Sequence, residues 1–284
     1  MSDTNGGLKW YKIIFKQMSP IHIGMKDYGV LSETRVFIPG WTIWGALVNN
    51  YGKYTGGEAA GFEEGKRIFQ NITCFYPEID DKSMFPNFKN GRLYMGDVSE
   101  KQFRISNTDV LMSTAINPVY ISAKDASLHE TEFILHKSKD TKKNTFWIGL
   151  LGIKEEDKSV FNDFMSTLDE IFIGGEISYG YGQLKKEKDL LIASGDDLKD
   201  WDLNDDGSLF IDSNDLKPIR SYIQRSDDIK PIKSRLEYIV QYDFSKNKPS
   251  IVSAGNYFIP GSEVDLKDND NASFSLKKGC FSVV

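Results

Sequence analysis

Cysteine is scarce in this chain of 284 residues: only Cys74 and Cys280 occur. Their separation fits neither a zinc-ligand pattern nor a disulfide framework, so a reducing cytoplasm is the expected setting. No apolar run approaches the ~18 residues that a membrane-spanning helix needs, and no membrane partner is expected. The opening Met-Ser-Asp-Thr-Asn-Gly-Gly has no basic region and no apolar core, which is not the pattern of a secretory signal. Excess positive charge is missing too. Lys and Arg number 35 against 41 Asp and Glu, for a net charge of −6. A generic nucleic-acid coat protein is usually basic, so any contact with RNA or DNA must come from local patches. Glycine and proline are not in excess, which excludes collagen-like and broadly disordered chains. No Walker loop, Rossmann fingerprint or nucleophile elbow is present, and no repeat recurs at a fixed period. A cofactor is therefore not expected, nor is a metal site.

Hydrophobic residues make up 40% of the sequence, enough for one large domain or two of ordinary size. Leu8 to Met18 is rich in aromatic and β-branched residues and reads as a first strand. After the Phe37–Gly40 turn, Trp41, Trp44, Leu47, Val48 and Tyr51 recur at helical steps. A short helical pattern follows near Glu63 to Phe69, and Arg92 to Val98 reads as a strand. Thr131–His136 and Thr145–Leu151 read as a hairpin with a basic tip at Lys137, Lys139, Lys142 and Lys143. Ser159 to Phe172 has helical spacing, with Asp157 or Ser159 as N-cap. Residues 194–231 are acidic and polar and read as a linker or a loosely packed insertion. Within them, Asp202 to Leu209 imitates the start of a calcium loop. Position twelve is Ser213 where a bidentate glutamate is required, so an acidic surface turn is the expectation. Arg235–Phe244 and a segment around Gly279–Val283 read as further strands, with an extended stretch through Tyr257–Val264. Strands and helices in mixed order point to an α+β architecture.

The richest stretch is Phe172 to Lys185. It holds Gly174, Gly175, Gly180 and Gly182, with Ser178, Tyr179 and Tyr181 among them, and leads into Lys185 and Lys186. Such a loop can turn backbone N–H groups toward phosphate oxygens, and its aromatics can stack on bases.

Three phrases in order extend this reading: Ser19-Pro-Ile-His-Ile-Gly24, Ile38-Pro-Gly-Trp-Thr-Ile-Trp-Gly-Ala-Leu47, and the glycine loop at 174–182. Together they resemble the RAMP superfamily of CRISPR-associated proteins across residues ~9–190. Thr114–Asn117 followed by Ala123–Glu132 looks like that family's thumb-like segment. The resemblance implies one or two ferredoxin-like, RRM-like domains with a glycine-rich loop. Residues 1–193 would form the core, with a thumb-like insertion at about 103–145. Residues 194–231 would be the acidic linker, and 232–284 would complete the sheet or form a second small half.

The resemblance also implies a partner, CRISPR RNA, and places the chain beside other effector subunits, including backbone subunits and a large polymerase-like subunit. Gly29-Val-Leu-Ser-Glu-Thr34 and Pro260–Val264 look most like the subunits that cap the 5′ end of the guide in type III complexes. A non-catalytic RNA-binding subunit in antiviral defence is the leading expectation. The RNA-binding set is then Gly174, Gly175, Ser178, Tyr179, Gly180, Tyr181 and Gly182, with Arg35, Lys185 and Lys186 supplying charge. Trp41, which stands where the family commonly has serine, and Lys137 and Lys142 complete it. Two enzymatic alternatives stay open. One is a guide-processing ribonuclease using His22 as general base, although many non-enzymatic members of the family carry a histidine in this phrase and a structural role is the first expectation for it. Asp27 lies near the aspartate of target-cleaving subunits, whose approximate place is taken here by Leu31-Ser32. His129 and His136 read as surface or RNA-contacting residues.

Overall fold

The computed structural model describes residues 7–187, 189–243, 248–266 and 273–283. Residues 1–6, where the N-terminal reading falls, and Phe244 lie outside the described residues. In chain order the first elements are β1 (Leu8–Gln17), β2 (Gly24–Tyr28), β3 (Leu31–Thr34), α1 (Gly40–Tyr54), α2 (Ala59–Ile68) and β4 (Tyr76–Ile79). There follow α3 (Glu100–Asn107), β5 (Thr108–Ser113), β6 (His129–Ile134), β7 (Thr145–Lys154), α4 (Lys158–Thr167), β8 (Glu170–Phe172) and β9 (Gln183–Lys186). The C-terminal part holds α5 (Gly195–Asp200), β10 (Tyr222–Gln224), β11 (Leu236–Asp243), β12 (Ser250–Phe258), β13 (Phe274–Lys277) and β14 (Cys280–Val283).

The main sheet runs β8-β9-β1-β7-β4. Strand β1 alternates, with Tyr11, Ile13, Phe15 and Gln17 buried on one face and Trp10 on the other. Helices α1, α2 and α4 cover the first face through Ile43, Leu47, Tyr51, Phe69, Phe161 and Phe164. The opposite face, near Trp10, Tyr76 and Leu150, packs on the C-terminal part. Strand β7 is therefore covered on both sides, which explains its nearly unbroken apolar run from Trp147 to Ile153.

Residues 194–231 differ from the linker expected of them. Leu198, Trp201, Leu203, Leu209, Ile219, Tyr222 and Ile223 are all buried in the second core. The acidic residues among them are mostly solvent-facing, and their number hid the apolar positions in between. The second core is closed by the sheet β11-β12-β10-β14-β13.

Three local readings change. The helix expected over 159–172 stops at Thr167, because Ile171 leaves it to pair with Leu184 in the β8–β9 hairpin. Asp157 makes no capping bond, since its carboxylate accepts both guanidinium bonds of Arg67 at 2.6 and 2.7 Å. The segments read as one hairpin at 131–151 join only through a bridge between Lys137 and Asn144; β6 pairs with β5 and β3, while β7 pairs with β1 and β4.

The two halves meet where the turn at Lys278-Gly279 sits on the start of α1. A Cβ on Gly40 would lie 2.6 Å from the Gly279 backbone nitrogen, so only glycine permits the contact. The turn's N–H groups donate to Gln70 O and Ile72 O, both at 2.7 Å. Arg35 adds a bidentate ion pair to Glu237 and a 3.0 Å bond to the Tyr222 hydroxyl.

Asp202, the first residue of the calcium-like turn, is not at the surface. Its buried carboxylate accepts the Arg220 N–H at 2.6 Å. Burial pushes its pKa from 3.8 up to about 7, with the Arg220 N–H working against the shift. A carboxyl held above its unfolded value costs stability as pH rises from about 4 to about 7, and the full cost remains above that. Asn keeps an acceptor and tolerates the left-handed backbone of this position, φ +59. Asp202→Asn is therefore expected to melt above the wild type at pH 8. The gain should shrink as pH falls through 7 and vanish near 4; a lower melting temperature at pH 8 would contradict this reading.

Candidate nucleic-acid interface

The glycine loop spans the β8–β9 hairpin and is fixed at its base. Gly182 donates to Pro20 O at 2.7 Å, Gly175 donates to His22 O at 2.9 Å, and Ile173 donates to Gly182 O at 3.0 Å. Gly174 and Gly182 both have positive φ, and a Cβ there would fall 2.2 Å from His22 O and 2.0 Å from Ile173 O. These glycines are present so that the loop can seat on Pro20–His22.

That seating changes the role expected of the loop. The N–H groups of Tyr179, Gly180 and Tyr181 donate to carbonyls of Glu176 and Ile177 within the loop. With those of Gly175 and Gly182 also committed, five of the donors expected to meet phosphates are already engaged. The loop's free chemistry lies in its tip side chains. Tyr179 is 78% exposed, Ile177 and Ser178 are exposed beside it, and Gly180 has open space around it. Tyr181 is half-buried with its ring 5.4 Å from that of Phe133.

Phe133 belongs to β6, so Tyr181 links the loop to the β5–β6 hairpin. Strand β6 lies in a sheet of the order β5-β6-β3-β2, with β3 and β6 parallel. Strand β5 and the hairpin β2–β3 were not foreseen. Leu111, Ser113, His129 and Thr131 of the hairpin face Glu176, Tyr179 and Tyr181 across a narrow cleft of about 40 Å³. Beyond it the hairpin tip exposes Ile116, Val119, Tyr120 and Ile121, the last at 86%. This tip lies within and between Thr114–Asn117 and Ala123–Glu132, the phrases that resemble the family's thumb-like segment; its exposed apolar residues had no periodicity to mark them.

The base of the hairpin is built on a buried carboxylate. Glu132 accepts from Arg104 at 2.6 Å, from the Thr108 hydroxyl at 3.0 Å and from the Thr34 N–H at 3.0 Å. Arg104 also reaches Glu100 at 2.8 Å and Glu33 at 3.2 Å. One cation thus serves three carboxylates. Burial, and then the charges of Glu132 and Glu100, push the Glu33 carboxyl above its usual range despite Arg104.

His22 is buried at 8% exposure, with Nδ1 2.6 Å from the Glu132 carbonyl oxygen. A carbonyl only accepts, so Nδ1 carries the proton and donates. A Cβ on Gly175 would lie 3.3 Å from the ring, which places the imidazole directly under the loop. Asp27 is exposed on β2, opposite Ser32 of β3.

The remaining residues separate. Arg35 is turned inward to Glu237 and is not a free charge: burial opposes its charge, and the bonds to Glu237 and Tyr222 outweigh it, raising its pKa. Trp41 is half-buried with its ring 5.2 Å from that of Tyr222. Lys185 pairs with Asp169 at 3.7 Å. Lys186 is half-buried, and burial lowers its pKa. Both line a cleft of about 690 Å³ that also holds Glu78, Asp80, Asp81, Glu187 and Asp189, an acidic surrounding for residues expected to meet phosphate. At the basic tip, Lys139 bonds Asp109 and Lys143 bonds Asp80, while Lys137 and Lys142 are exposed. Among the described residues no group of three or more His, Cys, Asp or Glu is arranged to hold a metal ion.

An α+β chain whose glycine loop and hairpin are both held on one short strip next to β1 defines a class of protein. Residues 15–185, more than half of the chain, match the family model of the RAMP superfamily, and this chain belongs to that superfamily. Among solved structures it is similar to a chain in the structure of type III-B Cmr-beta bound to cognate target RNA. The identity is 12% and the TM-score 0.56, covering 96% of this chain and 99% of that one. A chain of type III-B Cmr-beta bound to cognate target RNA and AMPPnP, in state 1, has 12% identity and a TM-score of 0.51, covering 89% and 85%. At this identity the likeness is one of fold. No curated protein sequence matches it.

The seating of the loop makes a paired prediction. Gly174→Ala forces a Cβ into the His22 carbonyl and a left-handed backbone on alanine, so it should cost at least ~2 kcal/mol in denaturant unfolding. Gly180→Ala meets no neighbour and should cost only ~1–2 kcal/mol from its backbone. Equal losses in the two variants would contradict the seating.

Proposed function

We propose that this protein is a non-catalytic, RNA-binding subunit of a type III-like CRISPR effector complex, acting in antiviral defence in the cytoplasm. It holds the repeat-derived 5′ handle of the guide RNA. The observation that carries this reading is the surface where the exposed Tyr179 of the glycine loop faces the hairpin strands β5 and β6. Single-stranded RNA is recognised by splaying its bases onto aromatic side chains, and an exposed tyrosine on an anchored loop suits that task. Membership of the RAMP superfamily and the fold shared with chains from target-RNA-bound Cmr-beta support it.

The order of the main sheet supports a ferredoxin-like, RRM-like first half. Its late strand β9, first strand β1, third strand β7 and second strand β4 lie side by side and antiparallel, with α1 and α4 on one face. The second sheet, β10 to β14, supports a further small half built from the C-terminal segment. The partners are CRISPR RNA, backbone subunits and a large polymerase-like subunit. The net charge of −6 suits faces that meet basic neighbours more than it suits a phosphate coat. A non-catalytic role agrees with His22, whose ring is buried beneath the loop and tied to the Glu132 carbonyl.

Filter binding of repeat RNA to the full chain tests the reading. Tyr179→Ala leaves an exposed site and should not disturb folding. It should weaken binding about tenfold, the loss of one base–aromatic stack. The RNA should stay intact in both Mg²⁺ and chelator. Unchanged affinity in Tyr179→Ala, or site-specific cleavage that His22→Ala abolishes, would overturn the proposal.

A further inference from the structure

A large cleft lies away from the loop and hairpin, with a volume of about 780 Å³. Trp41 and Trp44 of α1 form one wall and residues 238–242 of β11 the other, with Lys66 and Lys278 at the same cleft. Its volume is in the range of small-molecule sites. Three features make it unlike a chance groove in an acidic protein.

First, the indole of Trp44 is oriented. Its Nε1–H donates to Lys66 O at 3.3 Å. Second, the Lys278 ammonium lies 3.9 Å from the centre of the Trp44 ring, and among the described residues it has no carboxylate partner. The Lys278 backbone is fixed by its turn, whose N–H groups donate to Gln70 O and Ile72 O and where Lys278 has φ +54. Burial, and then the neighbouring charge of Lys66, keep its pKa below the usual lysine value. An anion between the two lysines would relieve that repulsion. Third, the other charges of the cleft cancel. Arg35 and Glu237 neutralise each other, which leaves Lys66 and Lys278 as the excess. Lys66 does bond Glu63 at 2.5 Å, but both partners of that pair are largely exposed, where such pairs are weak and exchange readily.

Aromatic side chains and two ammonium groups lining the same cleft match a base attached to a phosphate. We propose that this cleft binds a ribonucleotide unit, its base against Trp41 and the exposed Tyr238, and its phosphate on Lys66 and on Lys278 where it rests over Trp44. The inference rests on the RNA-binding reading and adds a second contact point to it. Arg35, at the edge of the cleft, donates its backbone N–H to Ile23 O at 2.8 Å, next to the carbonyl on which the glycine loop sits.

The protein supplies its own reporter. Of its five tryptophans, Trp10, Trp147 and Trp201 are buried, and the two half-buried ones both line the cleft. Quenching of tryptophan fluorescence by contact with a base therefore reads this site. The full chain is titrated with adenosine 5′-monophosphate and with an oligoadenylate of eight residues, while binding of the same oligomer carrying a fluorescent end label is followed by polarisation. Saturable quenching is expected, and Lys278→Asn, which tolerates the left-handed backbone, should raise the apparent Kd about tenfold through loss of a charge-assisted phosphate contact. Tyr238→Ala, at an exposed position, should weaken quenching without affecting the fold. Equal quenching per site by monophosphate and oligomer identifies a free-nucleotide pocket; much tighter binding of the oligomer identifies a strand path. Polarisation without quenching, unchanged in Lys278→Asn, overturns the cleft while leaving the RNA-binding reading in place. Absence of binding by either readout overturns both. If Lys278→Asn leaves RNA binding unchanged and weakens association with another effector subunit, the cleft belongs to protein and the proposal is wrong.

Discussion

Four consecutive residues, Pro20 to Ile23, hold the candidate interface together. They alternate in what they bind, as an extended strand dictates. Pro20 and His22 offer their carbonyls to Gly182 and Gly175 of the glycine loop. Between them, Ile21 exchanges both backbone bonds with Ile134 at the end of β6, at 3.0 and 2.8 Å. The His22 side chain then bonds the Glu132 carbonyl, also in β6. Loop and hairpin, distant in sequence, are thereby fixed on opposite edges of one strip. A buried backbone group without a partner is costly, so these bonds define the position of the loop as firmly as its packing does.

Charge distribution follows from the same layout. Of the cations expected to meet RNA, Arg35 is held by Glu237 and Lys185 by Asp169. In the basic tip, Lys139 pairs with Asp109 and Lys143 with Asp80. Arg104 is enclosed by three carboxylates at the hairpin base. What faces outward near the loop is aromatic and aliphatic: Tyr179, Ile177 and the hairpin tip around Tyr120. A surface of this kind gains more from stacking than from phosphate neutralisation, and its affinity should depend less on salt than that of a basic groove.

Much of the first half was legible in the sequence because local pattern decided it. The helix after Gly40 followed from steps of three and four, and β1 followed from its aromatic and β-branched composition. The segments that escaped reading depend on tertiary pairing. Strand β5 lacks alternation because it stands on an exposed hairpin, so no buried face marks its period. Residues 194–231 appeared as a linker because their aspartates outnumber the well-spaced Leu198, Trp201, Leu209 and Ile219 that are buried. At the candidate site the glycines were identified, but their purpose differs. Sequence could register that they permit close approach; it could not show that the approaching group is the protein's own His22 carbonyl. Arg35 was visible as a cation, whereas its partner Glu237 lies 202 residues away.

The central claim is that the tyrosine-bearing loop and the neighbouring hairpin form one RNA-contacting surface. Ultraviolet cross-linking of repeat RNA to the full chain, with the modified peptides mapped by mass spectrometry, tests it most directly. Cross-links at Tyr179 or Tyr181 together with residues of β5 or β6 are the predicted result. RNA that binds tightly yet cross-links to neither would contradict the account.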